Sequence, residues 1–295
     1  MTRIIDARFR PSTEEFCAFF HNRALNGMLK DLIQRQPIVR DVDAEVAEIK
    51  AMGVEGAVIV GRDLESTFGV SVPNEHIAEV CARHPDFFIG MAAADPNKGR
   101  EALEVLTHAI EKLGLIGLTV DPYWHRRPAD DRLYYPLYEY CASLRLPVAI
   151  TTGSGAYVPE TLVSDSHPDR IDVVARDFPQ LPIIISHGGW PNIMQGIAVS
   201  LRHRNVYLDL VAYEDAPGSH LYADAVNRGW LRDRILFGSG NPFIPVHEAY
   251  SKFTAMDFPA DSIDALVYGN SASLFGFPRD IVSATVPQTV LPAVG

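Results

Sequence analysis

The chain has 295 residues, 47% apolar and 21% charged, which is the profile of a globular protein with a large core. A formal net charge of −11 argues against nucleic acid as a partner, because phosphate binding needs a basic footprint, and no run reaches the ~18 apolar residues of a membrane span. Cys17, Cys81 and Cys141 form no CxxC pair, so neither a disulfide framework nor a thiolate zinc site is expected, and with no leader-like N-terminal pattern the expected location is the cytoplasm.

The first apolar run, Ile4-Ile5, ends in Arg8 and Arg10, spaced so that an extended segment carries both on one face. Two cations closing a buried strand call for an anion to meet them. Residues 13–36 then read as a helical insertion carrying Phe16, Phe19, Phe20, Leu25, Met28, Leu29 and Leu32, longer than an ordinary connection. It is a candidate lid, or else it packs against a neighbouring helix or a second subunit as a homodimer contact. Seven further β-branched or aromatic runs follow, at 57–60, 87–91, 116–120, 147–150, 183–185, 206–210 and 235–237. Amphipathic stretches lie between them, at 74–84, 99–113, 133–144, 171–178 and 193–203.

Eight apolar strands alternating with helices predict a parallel sheet buried on both faces, closed as a (β/α)₈ TIM barrel. A doubly wound open sheet is the alternative, but no GxGxxG follows any strand. With no linker-like segment in view, residues 1–295 are expected to form a single domain. In a barrel the residues just past each strand share one cup, here Arg8 and Arg10, Arg62 and Asp63, Asp95, Asp121 and Tyr123, Thr151 and Thr152, His187, Tyr213 and Glu214, Gly240 and Asn241. Of these, His187 and Asp121 are the catalytic candidates. Arg8, Arg10, Arg62, Tyr123, Thr151 and Asn241 are the candidates for binding substrate. Asp6, Asp209 and Asn270 are read as structural, and His125 as a loop residue near the mouth.

The strings Ile185-Ser186-His187-Gly188-Gly189-Trp190-Pro191, Asn205-Val206-Tyr207-Leu208-Asp209, Ile235-Leu236-Phe237-Gly238-Ser239, Pro242-Phe243 and Gly269-Asn270-Ser271-Ala272, followed by Leu274-Phe275-Gly276, resemble the amidohydrolase-related family. That family includes aminocarboxymuconate-semialdehyde decarboxylase, resorcylate-type decarboxylases and pyrone-dicarboxylate lactonase. The resemblance implies hydrolysis or decarboxylation of small, usually carboxylated molecules at the strand C-termini. It also implies metal ligands that this chain replaces: Arg8 and Arg10 stand for the strand-one His-x-His, Thr151 for the strand-five histidine and Gly240 for the strand-eight aspartate. A guanidinium has no lone pair to give a cation, and one imidazole cannot supply the three protein ligands of a catalytic zinc. No metal ligand and no cofactor are therefore expected, a divalent metal being disfavoured. The leading expectation is a metal-independent lactonase or C–O/C–N hydrolase acting on a small anionic substrate. A non-oxidative decarboxylase or related lyase is the alternative, and an anion-binding pseudoenzyme is a third reading.

Overall fold

Eight strands hydrogen-bond in chain order: β1 (Ile4–Phe9), β2 (Val54–Val60), β3 (Phe88–Ala93), β4 (Leu118–Val120), β5 (Val148–Thr151), β6 (Ile183–Ser186), β7 (Val206–Asp209) and β8 (Ile235–Leu236). Every ladder between neighbours is parallel. Between the last strand and the first, the N–H of Ala7 donates to the Phe237 carbonyl at 2.9 Å and that of Gly240 to the Arg8 carbonyl at 2.9 Å. These bonds close the sheet into the expected (β/α)₈ barrel. The computed structural model describes residues 3–22, 36–153, 158 and 160–277.

Alternation along the strands divides the core. Ala7, Val58, Val60, Ile89, Met91, Ala149, Ile184 and Leu236 fill the lumen with Phe275, whereas Ala57, Ile59, Phe88, Ala92, Ile183 and Ile185 belong to the larger cluster beneath the helices. The helices are α1 (Glu14–His21), α2 (Val42–Ala51), α3 (Asn74–Arg83), α4 (Arg100–Glu111), α5 (Tyr135–Leu144), α6 (Pro168–Asp177), α7 (Ile193–Arg202), α8 (His220–Asn227), α9 (Val246–Thr254) and α10 (Asn270–Phe275). In α4, Ala102, Leu106, Ala109 and Ile110 form the buried stripe. The α6 helix starts three residues before the expected boundary because Pro168 occupies its first turn and the His167 ring caps the Asp169 N–H.

The insertion after β1 does begin with a helix, α1, but Phe16 is 1% exposed and packs on the His76 ring at 5.9 Å rather than offering itself to a second subunit. Leu25, Met28, Leu29 and Leu32 lie outside the described residues, as do the side chains of Phe19, Phe20 and His21. Among the described residues no helix is long and apolar enough to cross a membrane.

Candidate active site

The cup is built upward from a layer of buried polar groups. Arg8 is 1% exposed; its Nη1 donates to Ser186 Oγ at 2.8 Å, its Nη2 to Thr151 Oγ1 at 3.0 Å, and Nη1 stands 4.0 Å from Asp209 Oδ2. Thr151 therefore binds Arg8. Arg62 forms a two-point pair with Asp121, both N···O distances being 3.0 Å, and lies over the Trp124 ring at 4.2 Å. Burial works to raise the Asp121 pKa, but the neighbouring Arg62 overcomes it and brings the carboxyl down to about 2. Asp121 is thus an ionised counter-ion, a geometry that suits anchoring a guanidinium better than accepting protons near neutral pH.

Arg10 differs from both. It is 4% exposed, yet among the described residues Nε and Nη2 have no hydrogen-bond partner. Burial, then repulsion from Arg62 and Arg8, drives its pKa well below the usual value. What holds Arg10 in place is its main chain: its N–H donates to the Asn241 carbonyl at 3.1 Å, and Asn241 Nδ2 donates to its carbonyl at 2.8 Å and to Glu45 Oε1 at 3.0 Å. The Asn241 side-chain nitrogen is thereby engaged with scaffold. Tyr123 is buried beside these groups, and burial followed by the Asp121 charge raises its pKa, so its phenol stays protonated.

His187 opens the turn after β6 with a left-handed backbone, φ 61°. Two bonds hold it there: its N–H donates to Asp209 Oδ1 at 2.8 Å, and its ring Nδ1 lies 2.7 Å from the Val211 carbonyl. A carbonyl only accepts, so the proton is on Nδ1 and Nε2 carries the lone pair. Among the described residues Nε2 has no hydrogen-bond partner. Burial, and then repulsion by Arg8, lowers the imidazole pKa to about 4 while Asp209 pulls the other way. Tyr213 meets the ring edge-on at 5.4 Å and stacks on Trp190 at 4.6 Å.

Other strand-end residues turn away from the cup. Asp63 accepts from the Asp95 N–H at 3.2 Å and pairs with Lys98 at 3.3 Å, and Asp95 caps Ser66 and Asn97. His125 bonds the Asp63 carbonyl at 2.8 Å and Tyr134 at 2.9 Å, a satisfied core histidine. Glu214 lies toward α8 and α9, lining a cavity of about 350 Å³ with Asp224 and Lys252. The residue that sequence reasoning underrated is Asp209, which contacts both Arg8 and His187; its place at the last residue of β7 was the available signal.

A family model described as amidohydrolase matches residues 33–277, beginning after the strand that carries Arg8 and Arg10. The chain is 28% identical over 198 residues to a 2-keto-4-carboxy-3-hexenedioate hydratase of Sphingobium sp., the match covering 56% of either protein, so it spans about half the length of that curated relative. A TIM-barrel protein of Bordetella bronchiseptica is 29% identical with TM-score 0.81, covering 93% of this chain and 98% of that one. A dihydroxybenzoic acid decarboxylase of Polaromonas sp. JS666 is 20% identical with TM-score 0.67, covering 95% and 98%, and was crystallised with bound manganese. That finding corrects the expectation of no cofactor, since a divalent metal accompanies this fold in a relative.

The residues of this chain at the replaced ligand positions do not fit such a metal. The unpartnered Arg10 nitrogens are donors, not lone pairs. Gly240 has φ 72°, and a Cβ there would come within 2.7 Å of Val211 Cγ1, leaving no room for an aspartate without displacement. Among the described residues no group of three or more His, Cys, Asp or Glu is arranged to hold an ion. With the family model spanning five-sixths of the sequence and the barrel matching in order and closure, the chain belongs to the amidohydrolase family.

Proposed function

We propose that the protein is a lyase acting on a small organic carboxylate through a carbanionic or enolate intermediate, by decarboxylation or by reversible hydration of a conjugated double bond. The observation that carries this is the presence in one cup of a buried guanidinium, Arg10, whose Nε and Nη2 have no hydrogen-bond partner among the described residues, and of a single proton carrier, the Nε2 of His187. Arg10 takes the substrate carboxylate, and the buried Arg8 and Arg62 charges stabilise the negative charge that develops beside it. In decarboxylation Nε2 of His187 first takes up a proton from solvent; the carbon–carbon bond then breaks, CO₂ leaves, and the electron pair left on carbon takes that proton from Nε2. In hydration, hydroxide from water bonds to one alkene carbon and His187 passes the water's proton to the other. Either reaction needs one proton delivered to carbon. Hydrolysis, by contrast, asks for a base toward water and an acid toward the leaving oxygen or nitrogen, and Asp121 is engaged by Arg62. The hydratase and decarboxylase activities named for the relatives favour the same class.

The test is turnover of a panel of unsaturated and aromatic carboxylates in D₂O, read by proton NMR. Deuterium bonded to product carbon is the expected result. Products formed with oxygen from labelled water but no carbon-bound deuterium would mean hydrolysis and overturn the lyase reading.

A further inference from the structure

Asp209, the last residue of β7, holds the main chain of His187 with one oxygen and turns the other toward the Arg8 guanidinium. Oδ1 accepts the His187 N–H at 2.8 Å, and Oδ2 stands 4.0 Å from Arg8 Nη1. The left-handed backbone of His187 is rare for a residue with a side chain and persists only where its surroundings over-determine it. Here the Asp209 bond and the Nδ1 bond to Val211 do so from opposite ends of the residue. Arg8 is pinned in the same layer by Ser186 and Thr151, leaving its charge little freedom to move away.

Resting on the proposed function above, we propose that Asp209 is a positioning residue that fixes the His187 ring and the Arg8 fork relative to one another, so that the imidazole takes up its proton in response to the anion the arginines bind. The charged or titratable groups that face His187 are Arg8 on β1, Arg62 past β2, Asp209 on β7 and Tyr213 in the loop beyond it. The two guanidinium groups oppose protonation of the ring and Asp209 favours it. A carboxylate seated on the arginines cancels their repulsion and leaves the attraction of Asp209 in force. The site therefore acquires its proton donor when the substrate arrives.

The test uses the whole chain, labelled with ¹⁵N at histidine, with malonate as the anionic probe. In the wild type the Nδ1–H tautomer of His187 is expected in the free protein, with the ring pKa rising by one unit or more at saturating malonate. Asp209→Asn should lower the ring pKa in the malonate complex by about one unit or more, and Asp209→Ala should lose the single Nδ1–H tautomer in the free protein. A merely structural Asp209 would lower the melting temperature of the variants and move neither signal. Wild-type tautomer and wild-type pKa in the variants would overturn the inference; should the alanine variant not fold, the isosteric asparagine variant decides alone. Failure of malonate to bind the wild type would count against the proposed function, and the tautomer in the free variants would still decide the role of Asp209.

Discussion

Replacing Arg10 by Met separates binding from scaffold, because its guanidinium Nε and Nη2 have no hydrogen-bond partner among the described residues while its main chain is fastened to Asn241. The substitution keeps much of the aliphatic stem and both main-chain bonds, and it removes only the fork and its charge. A charged hydrogen bond contributes about 1.5–3 kcal/mol. Malonate should then bind the variant about 10- to 150-fold more weakly in isothermal titration. Thermal stability should hold or rise slightly, since a buried cation repelled by Arg8 and Arg62 is gone. Arg62→Met provides the contrast: it strands Asp121, 1% exposed, without its partner, and breaking a buried pair costs about 3–5 kcal/mol. In a chain of this size that should lower the melting temperature by roughly 10 °C. An Arg10→Met protein that loses as much stability as Arg62→Met while binding malonate as tightly as the wild type would refute the assignment of Arg10 to substrate.

His187→Asn should reduce the transfer of deuterium to product carbon by about 100-fold or more while malonate affinity stays within a few-fold, and a variant with normal turnover would return this residue to the scaffold. Glu214 gives a pH signature of stability. It is 3% exposed, neither carboxylate oxygen has a hydrogen-bond partner of good geometry among the described residues, and burial pushes its pKa up to about 8 against the pull of the nearby Glu214 and Ala212 N–H groups. Its folded-state pKa lies above the unfolded value, so its contribution is fully present below about pH 4.3 and is lost as pH rises toward 8. Glu214→Gln should therefore melt close to the wild type near pH 5 and progressively higher than it toward pH 8.5, whereas a difference independent of pH would show that the carboxyl is solvated.

How much of this was legible in the sequence differs between strands and their ends. The eight strand runs were readable because parallel strands buried on both faces must be continuously apolar, and each run emerges as a barrel strand. The same reading placed Arg8, Arg10 and His187 at the mouth, since the last residues of a barrel strand have nowhere else to go. What the sequence did not carry was the partner each charge would choose. Asp121 could have met any cation in the cup; it meets Arg62, 59 positions away, because the long Arg62 side chain reaches across the intervening strand end to form a two-point pair. Asp63 and Glu214 sit one residue beyond positions that do face inward, and loop direction turns them toward Lys98 and Lys252. The left-handed backbone at Gly240, which leaves no room for a longer side chain, was likewise invisible until Val211 was seen against it.

Asp6 explains why the closure of the barrel and the site cannot be altered independently. Its Oδ1 accepts the N–H of Arg8 at 3.1 Å and that of Ser239 at 2.9 Å, so one carboxylate ties the end of β1 to the segment after β8. Ser239 in turn accepts the N–H of Asn241 at 3.0 Å, and Asn241 holds the main chain of Arg10. The seam between first and last strands therefore runs through the residues that present Arg8 and Arg10. Burial pushes the Asp6 carboxyl up to about 6 against the bonds it accepts, with Asp209 adding to the rise, and its Oδ2 has no partner. An acid held so close to neutrality beneath the arginines means that the charge of the layer under the cup changes over the same pH range in which an ordinary imidazole titrates. Closure of the barrel and presentation of Arg8 and Arg10 are for that reason properties of one network, and a substitution in it has to be judged on both.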